Sequence, residues 1–262
     1  MSDTDLLYDR EAHTATITFN RPQARNAMTW EMYKALYDAC ERIDDDDGVR
    51  VAVLRGAGGK AFVAGTDIRQ FTEFGSGSEG GKDGVAYEER IGRVVQRLET
   101  VRVPTIALID GYAVGGGLSL AAACDLRICT PNAKFGLPIA RTLGNCVSIR
   151  TCAKLVSLVG PARTLQLVYT AALLPVDEAG AAGLVTEIVS ESEVEDRVRD
   201  LCRQLTEHAP LTMRFTKEMV HRLQEHDLPS AEDLIAACYG SDDFREGVSA
   251  FVEKRKPNWT GQ

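Results

Sequence analysis

Three consecutive glycines, Gly115–Gly117, stand between an apolar segment and an alanine-rich one. The segment before them, 103–109, is short and partly β-branched, which predicts a buried strand, and 118–123 predicts a helix. Such a junction lets the backbone approach another backbone or a ligand, and it leaves the first helical N–H groups unpaired. Those groups and the helix dipole favour an oxygen that gains negative charge. The stretch therefore predicts either an oxyanion site near Gly116 or a purely structural contact.

Strands and helices alternate along residues 1–192, and only helices are predicted for residues 193–262. The last predicted strand covers residues 184–189. This order is typical of an α/β fold with a parallel or mixed sheet and crossover helices, followed by a helical region.

The segment 75–84 contains five glycines and two serines and has the composition of a flexible linker. Because it interrupts a globular pattern, it predicts a mobile lid or a disordered surface loop. Glu73, Glu88 and Glu89 flank it. We expect them to be solvated surface glutamates. The alternative is that one of them acts as an acid that reaches a site from above.

The overall composition argues against several classes of protein. A net charge of −8 is unfavourable for nonspecific nucleic-acid binding, and no apolar run reaches the roughly 20 residues that span a bilayer. The first residues lack the pattern of an export signal, so we expect a cytoplasmic protein whose seven cysteines are reduced. There is no CxxC, HxxxH or HExxH pattern, so no metal site is predicted.

Seven motifs together resemble the crotonase (enoyl-CoA hydratase/isomerase) superfamily over nearly the whole chain. They lie at 20–27, 61–68, 110–117, 123–125, 135–138, 179–185 and 246–255. The resemblance implies a ClpP-like spiral of ββα units. It also implies a helical C-terminal trimerisation region over 193–262, and a homotrimer or a hexamer made of two trimers.

The resemblance also implies an acyl-CoA thioester as the ligand, with CoA as part of the substrate and no separate cofactor. The backbone N–H groups of Thr66 and Gly116 match the two donors that hold the thioester oxygen in the family. Stabilising an enolate there is the chemistry that such donors perform. The positions that match CoA contacts are Ala24, Arg25, Ala27, Ala64, Asp67, Ile68, Phe251 and Lys254.

Some of these positions have ordinary structural explanations as well. Arg25 suits a phosphate contact or a solvated loop, and Asp67 suits a cap or a loop brace. Phe251 could be a helix core residue and Lys254 a solvated lysine.

Two positions depart from the two-glutamate pattern of enoyl-CoA hydratases. Ser119 stands where the first glutamate is expected, and Ile139 or Ala140 stands where the second is expected. Hydration needs a base for water and an acid for the α-carbon, and neither position supplies one.

Three residues in the matching segments are candidate replacements. Arg141 could bind a substrate carboxylate, and Asn145 could hold a water or polarise a carbonyl. Cys146 could be a nucleophile, although no histidine is evident to activate it and a buried thiol is the simpler interpretation.

The sequence thus supports an acyl-CoA enzyme of the lyase or isomerase class in the enoyl-CoA hydratase/isomerase group. An acyl-CoA decarboxylase or thioester hydrolase on the same scaffold is one alternative. A CoA-thioester-binding protein with little catalysis is another.

Overall fold

The computed structural model describes residues 5–225 and 229–262. Residues 1–4 lie outside this part. They belong to the predicted core region, and the prediction that the chain lacks an export signal also rests on them. The described chain forms two sheets from ten strands: β1 Leu6–Glu11, β2 Thr14–Phe19, β3 Val51–Gly56, β4 Ala61–Val63, β5 Thr105–Ile109, β6 Tyr112–Val114, β7 Leu126–Cys129, β8 Lys134–Gly136, β9 Leu174–Pro175 and β10 Glu187–Ile188.

The larger sheet has the strand order β1-β2-β3-β5-β7-β10, and only its β1–β2 pair is antiparallel. The smaller sheet has the order β4-β6-β8-β9. Chain order alternates between the two, because β3, β5 and β7 lie in the larger sheet and β4, β6 and β8 follow in the smaller one. Helical structure follows each of these pairs, so the predicted alternation of ββα units is observed.

The helices of the described chain are α1 Trp30–Asp45, α2 Ser78–Glu99, α3 Gly116–Ala123, α4 Ile139–Thr142, α5 Ile149–Tyr169, α6 Val176–Ala181, α7 Val194–Glu207, α8 Pro210–Glu225, α9 Glu232–Tyr239 and α10 Asp242–Val252. Short 3-10 helices occur at Pro22–Ala24 and Ile68–Glu73. None of the described helices has the length and apolar character needed to cross a membrane. The C-terminal part is helical as predicted, while its assignment to trimer contacts stays a prediction.

Alternate residues of β3 and β5 pack on opposite faces of the larger sheet. Ala52 and Leu54 join the main core with α1, whereas Val51 and Val53 pack against α7. Burial on both faces explains the continuous apolar runs in the sequence. The predicted strand over 184–189 is shorter than expected, because its ladder with β7 includes only β10.

The prediction of a mobile or disordered loop over 75–84 is wrong, because α2 already begins at Ser78. Its glycines are buried where α2 packs against α9. A Cβ atom on Gly84 would lie 2.2 Å from the Tyr239 side chain, and one on Gly81 would lie 2.5 Å from the Ala236 carbonyl oxygen. The glycines therefore permit close helix packing rather than loop motion, which their composition alone does not reveal.

Candidate active site

The two predicted backbone donors lie side by side. Met28 pairs with the backbone on either side of Thr66: Met28 N–H donates to Gly65 O and Asp67 N–H donates to Met28 O, each at 2.8 Å. In this parallel pairing the Thr66 N–H points away from Met28. Gly116 is the first residue of α3, so its N–H has no intrahelical acceptor. A Cβ atom on Gly116 would lie 3.9 Å from Thr66 N, so the two residues are neighbours at the start of α3.

The glycines bring α3 close enough to make this arrangement. Gly115 has a φ of +57°, which turns the chain from β6 into the helix. A Cβ atom on Gly117 would lie 1.9 Å from Val63 O, so α3 packs directly against β4. The tight strand–helix contact and the candidate oxyanion site are therefore consequences of the same packing.

A cavity of about 440 Å³ opens beside the two donors. Seven of the eight predicted CoA-contact positions line it, namely Ala24, Arg25, Ala27, Ala64, Asp67, Ile68 and Phe251. Arg25 and Arg69 are both exposed residues of the cavity wall, and Arg69 is paired there with Asp67, so Arg25 provides the uncompensated positive charge among these three residues. Nothing in the sequence patterns singled out Arg69.

Asp67 is tied into the cavity wall by two arginines. Its carboxylate accepts hydrogen bonds from Arg69 at 2.8 Å and Arg21 at 3.2 Å, and it caps the 3-10 helix through Arg69 N–H. The Arg69 hydrogen bond is the main cause that lowers the pKa of Asp67 to about 2. Asp67 is therefore a paired anion, as expected of a loop brace, and is a poor base.

Three hydroxyl groups meet beside the backbone donors. The Thr66 hydroxyl lies 2.9 Å from the Tyr33 hydroxyl and 2.8 Å from the Tyr87 hydroxyl. Burial raises the pKa of both phenols above its usual value, so they are protonated at neutral pH. The three groups carry three protons and share two hydrogen bonds. One O–H proton is therefore left without an acceptor inside this hydroxyl cluster, and Thr66 and Tyr87 line the cavity.

Glu88 lies behind this cluster, and the expectation that it is solvated is wrong. It is partly buried, and the Tyr239 hydroxyl donates to its Oε1 at 2.6 Å. Burial raises the pKa of Glu88 to about 7, against the lowering effect of hydrogen bonds from Tyr239 and the Ser148 N–H. Glu89, by contrast, is exposed as expected, and so is Glu73.

The residues expected at the positions of the family's glutamates differ in placement. Ile139 lines the cavity and is buried, whereas Ala140 is exposed. Ser119 is buried in α3 and is not among the lining residues. In the described cavity wall, the second glutamate position therefore contributes the apolar side chain of Ile139, and the first contributes no side chain because Ser119 does not line the cavity.

The remaining candidate site residues differ in whether they line the cavity. Asn145 is among the residues that line the cavity, whereas Arg141 is exposed and is not among them. Lys254 is exposed and likewise lies outside the lining set. A hydrogen bond with Cys238, together with burial, raises the pKa of the Cys146 thiol, which agrees with a buried thiol and disfavours a nucleophile.

Sequence comparisons match nearly the whole chain. A family model described as enoyl-CoA hydratase/isomerase matches residues 9–262. Short-chain-enoyl-CoA hydratase from Clostridium acetobutylicum is 33% identical over 260 residues, covering 98% of this chain and 97% of the relative. Crotonyl-CoA hydratase from Syntrophomonas wolfei is 34% identical over 263 residues, covering 99% of both chains.

Solved structures agree with the sequence matches. An enoyl-CoA hydratase/carnithine racemase from Magnetospirillum magneticum has a TM-score of 0.80 and 32% identity, over 100% of this chain and 97% of that one. Methylmalonyl-CoA decarboxylase in complex with 2-nitronate-propionyl-CoA has a TM-score of 0.88 and 26% identity, over 98% of each chain. These matches confirm the predicted resemblance and the predicted crotonase spiral.

Proposed function

Because the chain belongs to the enoyl-CoA hydratase/isomerase family and is an enzyme of that group, we propose that it acts on an acyl-CoA thioester. The thioester oxygen is held by the N–H groups of Thr66 and Gly116, which stabilise it as the enolate forms. The observation that carries this proposal is the convergence of these two donors at the wall of the 440 Å³ cavity. Donors fixed before the reaction contribute a few kcal/mol each to transition-state stabilisation.

The CoA portion occupies the end of the cavity where the arginines lie. Arg25 and Arg69 are exposed there and present guanidinium groups suited to phosphate oxygens. Phe251 from α10 adds an apolar surface to the same cavity, and its side chain remains half exposed. The acyl group then lies beyond the thioester, towards Tyr87, Ile139 and Asn145.

Hydration or isomerisation of an enoyl-CoA is the first candidate reaction, and the curated relatives named as hydratases support it. The usual pair of glutamates takes no part in this proposal, because Ser119 stands at one of the matching positions and Ile139 or Ala140 at the other. Instead, the hydroxyl cluster of Tyr33, Thr66 and Tyr87, which holds one uncommitted O–H, gives a proton to the enolate α-carbon, and the proton released by the water that adds at the β-carbon replaces it.

Decarboxylation of a malonyl-type thioester is the second candidate. Loss of CO2 leaves the bonding electrons on the same enolate and requires no base. Among the described lining residues Asp67 is the one carboxylate, and it is paired with arginines. The TM-score of 0.88 to methylmalonyl-CoA decarboxylase further supports this reaction. Arg141, which was expected to bind the substrate carboxylate, is exposed and is not among the described lining residues.

A panel of CoA thioesters tests the proposal. Crotonyl-CoA reports hydration by loss of its conjugated absorbance, methylmalonyl-CoA reports CO2 release, and butyryl-CoA reports free thiol if the enzyme hydrolyses thioesters. Turnover of crotonyl-CoA supports the first candidate, and turnover of methylmalonyl-CoA supports the second. Binding without turnover of any thioester would favour the CoA-binding alternative, and no binding at all would refute the proposal.

We also propose that the chain assembles into a trimer, or into a hexamer made of two trimers. Leu211, Phe215, Met219 and Leu223 recur every four residues on α8 and are each more than half exposed. A continuous apolar stripe of this kind is typical of a face that a partner covers. Light scattering should give the mass of three or six chains, and Phe215→Glu should shift the protein towards smaller species.

A further inference from the structure

Cys146 and Cys238 bring two sulfur atoms into contact beside the cavity wall. The Cys146 thiol forms a hydrogen bond with the Cys238 sulfur, although the two residues belong to distant parts of the chain. All seven cysteines are free thiols, so the pair is in its reduced form. Two thiols in contact can form a disulfide if the sulfurs approach to about 2.05 Å.

Hydrogen bonds between neighbouring residues hold the two segments together. The Cys238 thiol donates to Gly144 O at 3.2 Å, and Asn145 Nδ2 donates to the Tyr239 hydroxyl oxygen at 3.2 Å. Each bond joins residues within two positions of the cysteines. The contact between the sulfurs therefore follows from the packing of 144–146 on the end of α9, and not from the rotation of two side chains alone.

The pair also lies nearer to solvent than most of the other cysteines. Cys146 and Cys238 are partly exposed, whereas four of the remaining five are buried, namely Cys40, Cys124, Cys129 and Cys202. Reactive cysteines in redox-sensing proteins are typically accessible and lie next to a second thiol. Cys152 on α5 is partly exposed as well and serves as the comparison within the same chain.

The two thiols differ in acidity, which assigns their order of reaction. The hydrogen bond from Cys146 lowers the pKa of Cys238, against the raising effects of burial and Glu88, and the same contact raises the pKa of Cys146. The thiolate is the nucleophile in exchange with a disulfide, so Cys238 attacks first. Once Cys238 is bonded to another sulfur it is no longer a thiolate, and its hindrance to ionisation of Cys146 is removed.

We infer that Cys146 and Cys238 form a modification site for low-molecular-weight disulfides and a redox switch at the cavity. The Cys238 sulfur attacks the small disulfide, breaks its S–S bond and releases one small thiol. The Cys146 sulfur then attacks the Cys238 sulfur of this mixed disulfide and releases the second small thiol. The cysteine pair loses two electrons and two protons, and the small disulfide gains both.

The new bond affects the cavity because Cys146 directly follows Asn145, which lines it. The disulfide draws 144–146 and the end of α9 together, since bonded sulfurs lie closer than hydrogen-bonded ones. Cys238 also ceases to donate to Gly144 O. The oxidised protein therefore has a displaced cavity wall and binds a CoA thioester less tightly. This loss of affinity rests on the proposed function, whereas formation of the disulfide does not.

Peptide mapping by mass spectrometry after incubation with glutathione disulfide tests the modification site. The unmodified protein should gain a 146–238 cross-link without retaining glutathione, and dithiothreitol should reverse it. Cys146→Ser should stop at a glutathione adduct on Cys238, because the second thiol is missing. Cys238→Ser should react at Cys146 at least about tenfold more slowly than Cys238 reacts in Cys146→Ser. Cys152→Ser is the matched control and should form the cross-link at the rate of the unmodified protein.

Calorimetry with butyryl-CoA tests the effect on the cavity. Oxidation should raise the Kd of the unmodified protein about threefold to tenfold, as the loss of one hydrogen-bonded arrangement in the wall predicts, and dithiothreitol should restore it. The double variant Cys146→Ser/Cys238→Ser should bind like the reduced protein with or without glutathione disulfide, because serine hydroxyls can keep the local hydrogen bonds but form no disulfide.

Two outcomes would overturn the inference. One is the absence of a 146–238 cross-link in the unmodified protein at any ratio of glutathione disulfide to glutathione. The other is a cross-linked protein whose Kd for butyryl-CoA equals that of the reduced protein. Failure of the reduced protein to bind any CoA thioester would instead refute the proposed function, and the peptide mapping would still support or refute the modification site.

Discussion

The hydroxyl oxygens of Thr66 and Tyr87 lie 2.8 Å apart, which joins the candidate oxyanion site to helix α2. Thr66 contributes its backbone N–H to the proposed reaction, whereas its side chain organises two buried phenols. The oxyanion contact therefore depends on the backbone of Thr66, whereas the stability and the proton supply of the hydroxyl cluster depend on its side chain, and substitution can separate the two.

Thr66→Val tests that separation. Valine keeps the backbone N–H and the shape of the side chain, but Tyr33 and Tyr87 lose their common hydrogen-bond partner. We expect the free energy of unfolding to fall by about 1–3 kcal/mol. Urea denaturation measures this loss, and steady-state kinetics on the preferred thioester should show kcat/KM within about tenfold of the unmodified enzyme if one hydroxyl donor suffices. A stability unchanged by the substitution would contradict the hydrogen-bond assignment.

Gly116→Ala should damage catalysis more than Thr66→Val. The new Cβ would lie 2.8 Å from the Tyr33 hydroxyl and would occupy space beside Thr66 N. Alanine keeps the backbone N–H, but the crowding shifts it away from the thioester oxygen, and losing one well-placed donor contact typically lowers kcat by about 10²–10³-fold. Gly92→Ala is the matched control, because Gly92 lies within α2 and a Cβ there meets nothing within 4 Å. An active Gly116→Ala enzyme would place the oxyanion elsewhere.

Glu88→Gln should stabilise the protein in a pH-dependent manner. The pKa of Glu88 is about 7 in the folded chain, above its usual value, because burial penalises the carboxylate. Unfolded glutamate ionises near pH 4.5, so the native protein loses stability relative to the variant as pH rises from about 4.5 to 7. The difference should be small at pH 4.5 and reach at most about 3 kcal/mol above pH 7.

Thermal or urea unfolding across pH 4.5–8 measures that difference. The other titratable groups around Glu88 are Tyr33 on α1, Tyr87 on α2, Cys146, and Cys238 and Tyr239 at the end of α9. The pKa of Cys238 is lowered by its hydrogen bond with Cys146, so Cys238→Ala is measured in parallel. Exposed Glu89→Gln is the matched control, and an equal pH trend in it would contradict the assignment to Glu88.

Arg25→Ala and Arg69→Ala should weaken binding of CoA thioesters with little effect on the chemical step. Both guanidinium groups are exposed at the cavity and lie far from any reacting carbon in the proposed pose. We expect KM to rise severalfold at low salt and the difference to shrink at high salt, because exposed charges are screened. Exposed Arg199 lies on α7, away from the cavity, and its alanine variant provides the control.

The two proposed oxyanion donors are predicted on different grounds. The glycines at 115–117 indicate an oxyanion site near Gly116 from local sequence, whereas Thr66 is implied only by the resemblance of the motif at 61–68 to the family. The supporting side chains could not be predicted in this way. Glu88 and Tyr239 are 151 positions apart, and only the packing of α2 against α9 brings them together.

Composition was misleading at the start of α2. Gly80, Gly81 and Gly84 suggested a loop because glycine is common in linkers, yet here they permit contact with α9. The interpretation of 75–84 as a loop also led to the expectation that Glu88 is solvated. A long-range packing relationship therefore decided both the fold of this segment and the chemistry of the glutamate.

The central claim, that Thr66 N–H and Gly116 N–H stabilise an enolate, is tested most directly by comparing the Kd of propionyl-CoA with that of 2-nitronate-propionyl-CoA. The nitronate is a stable anion conjugated with the thioester, and it is the ligand bound by the methylmalonyl-CoA decarboxylase neighbour. Calorimetry on the unmodified protein should show the nitronate binding at least about tenfold more tightly, equivalent to about 1.4 kcal/mol, with most of that advantage lost in Gly116→Ala. Equal or weaker binding of the nitronate would contradict the account.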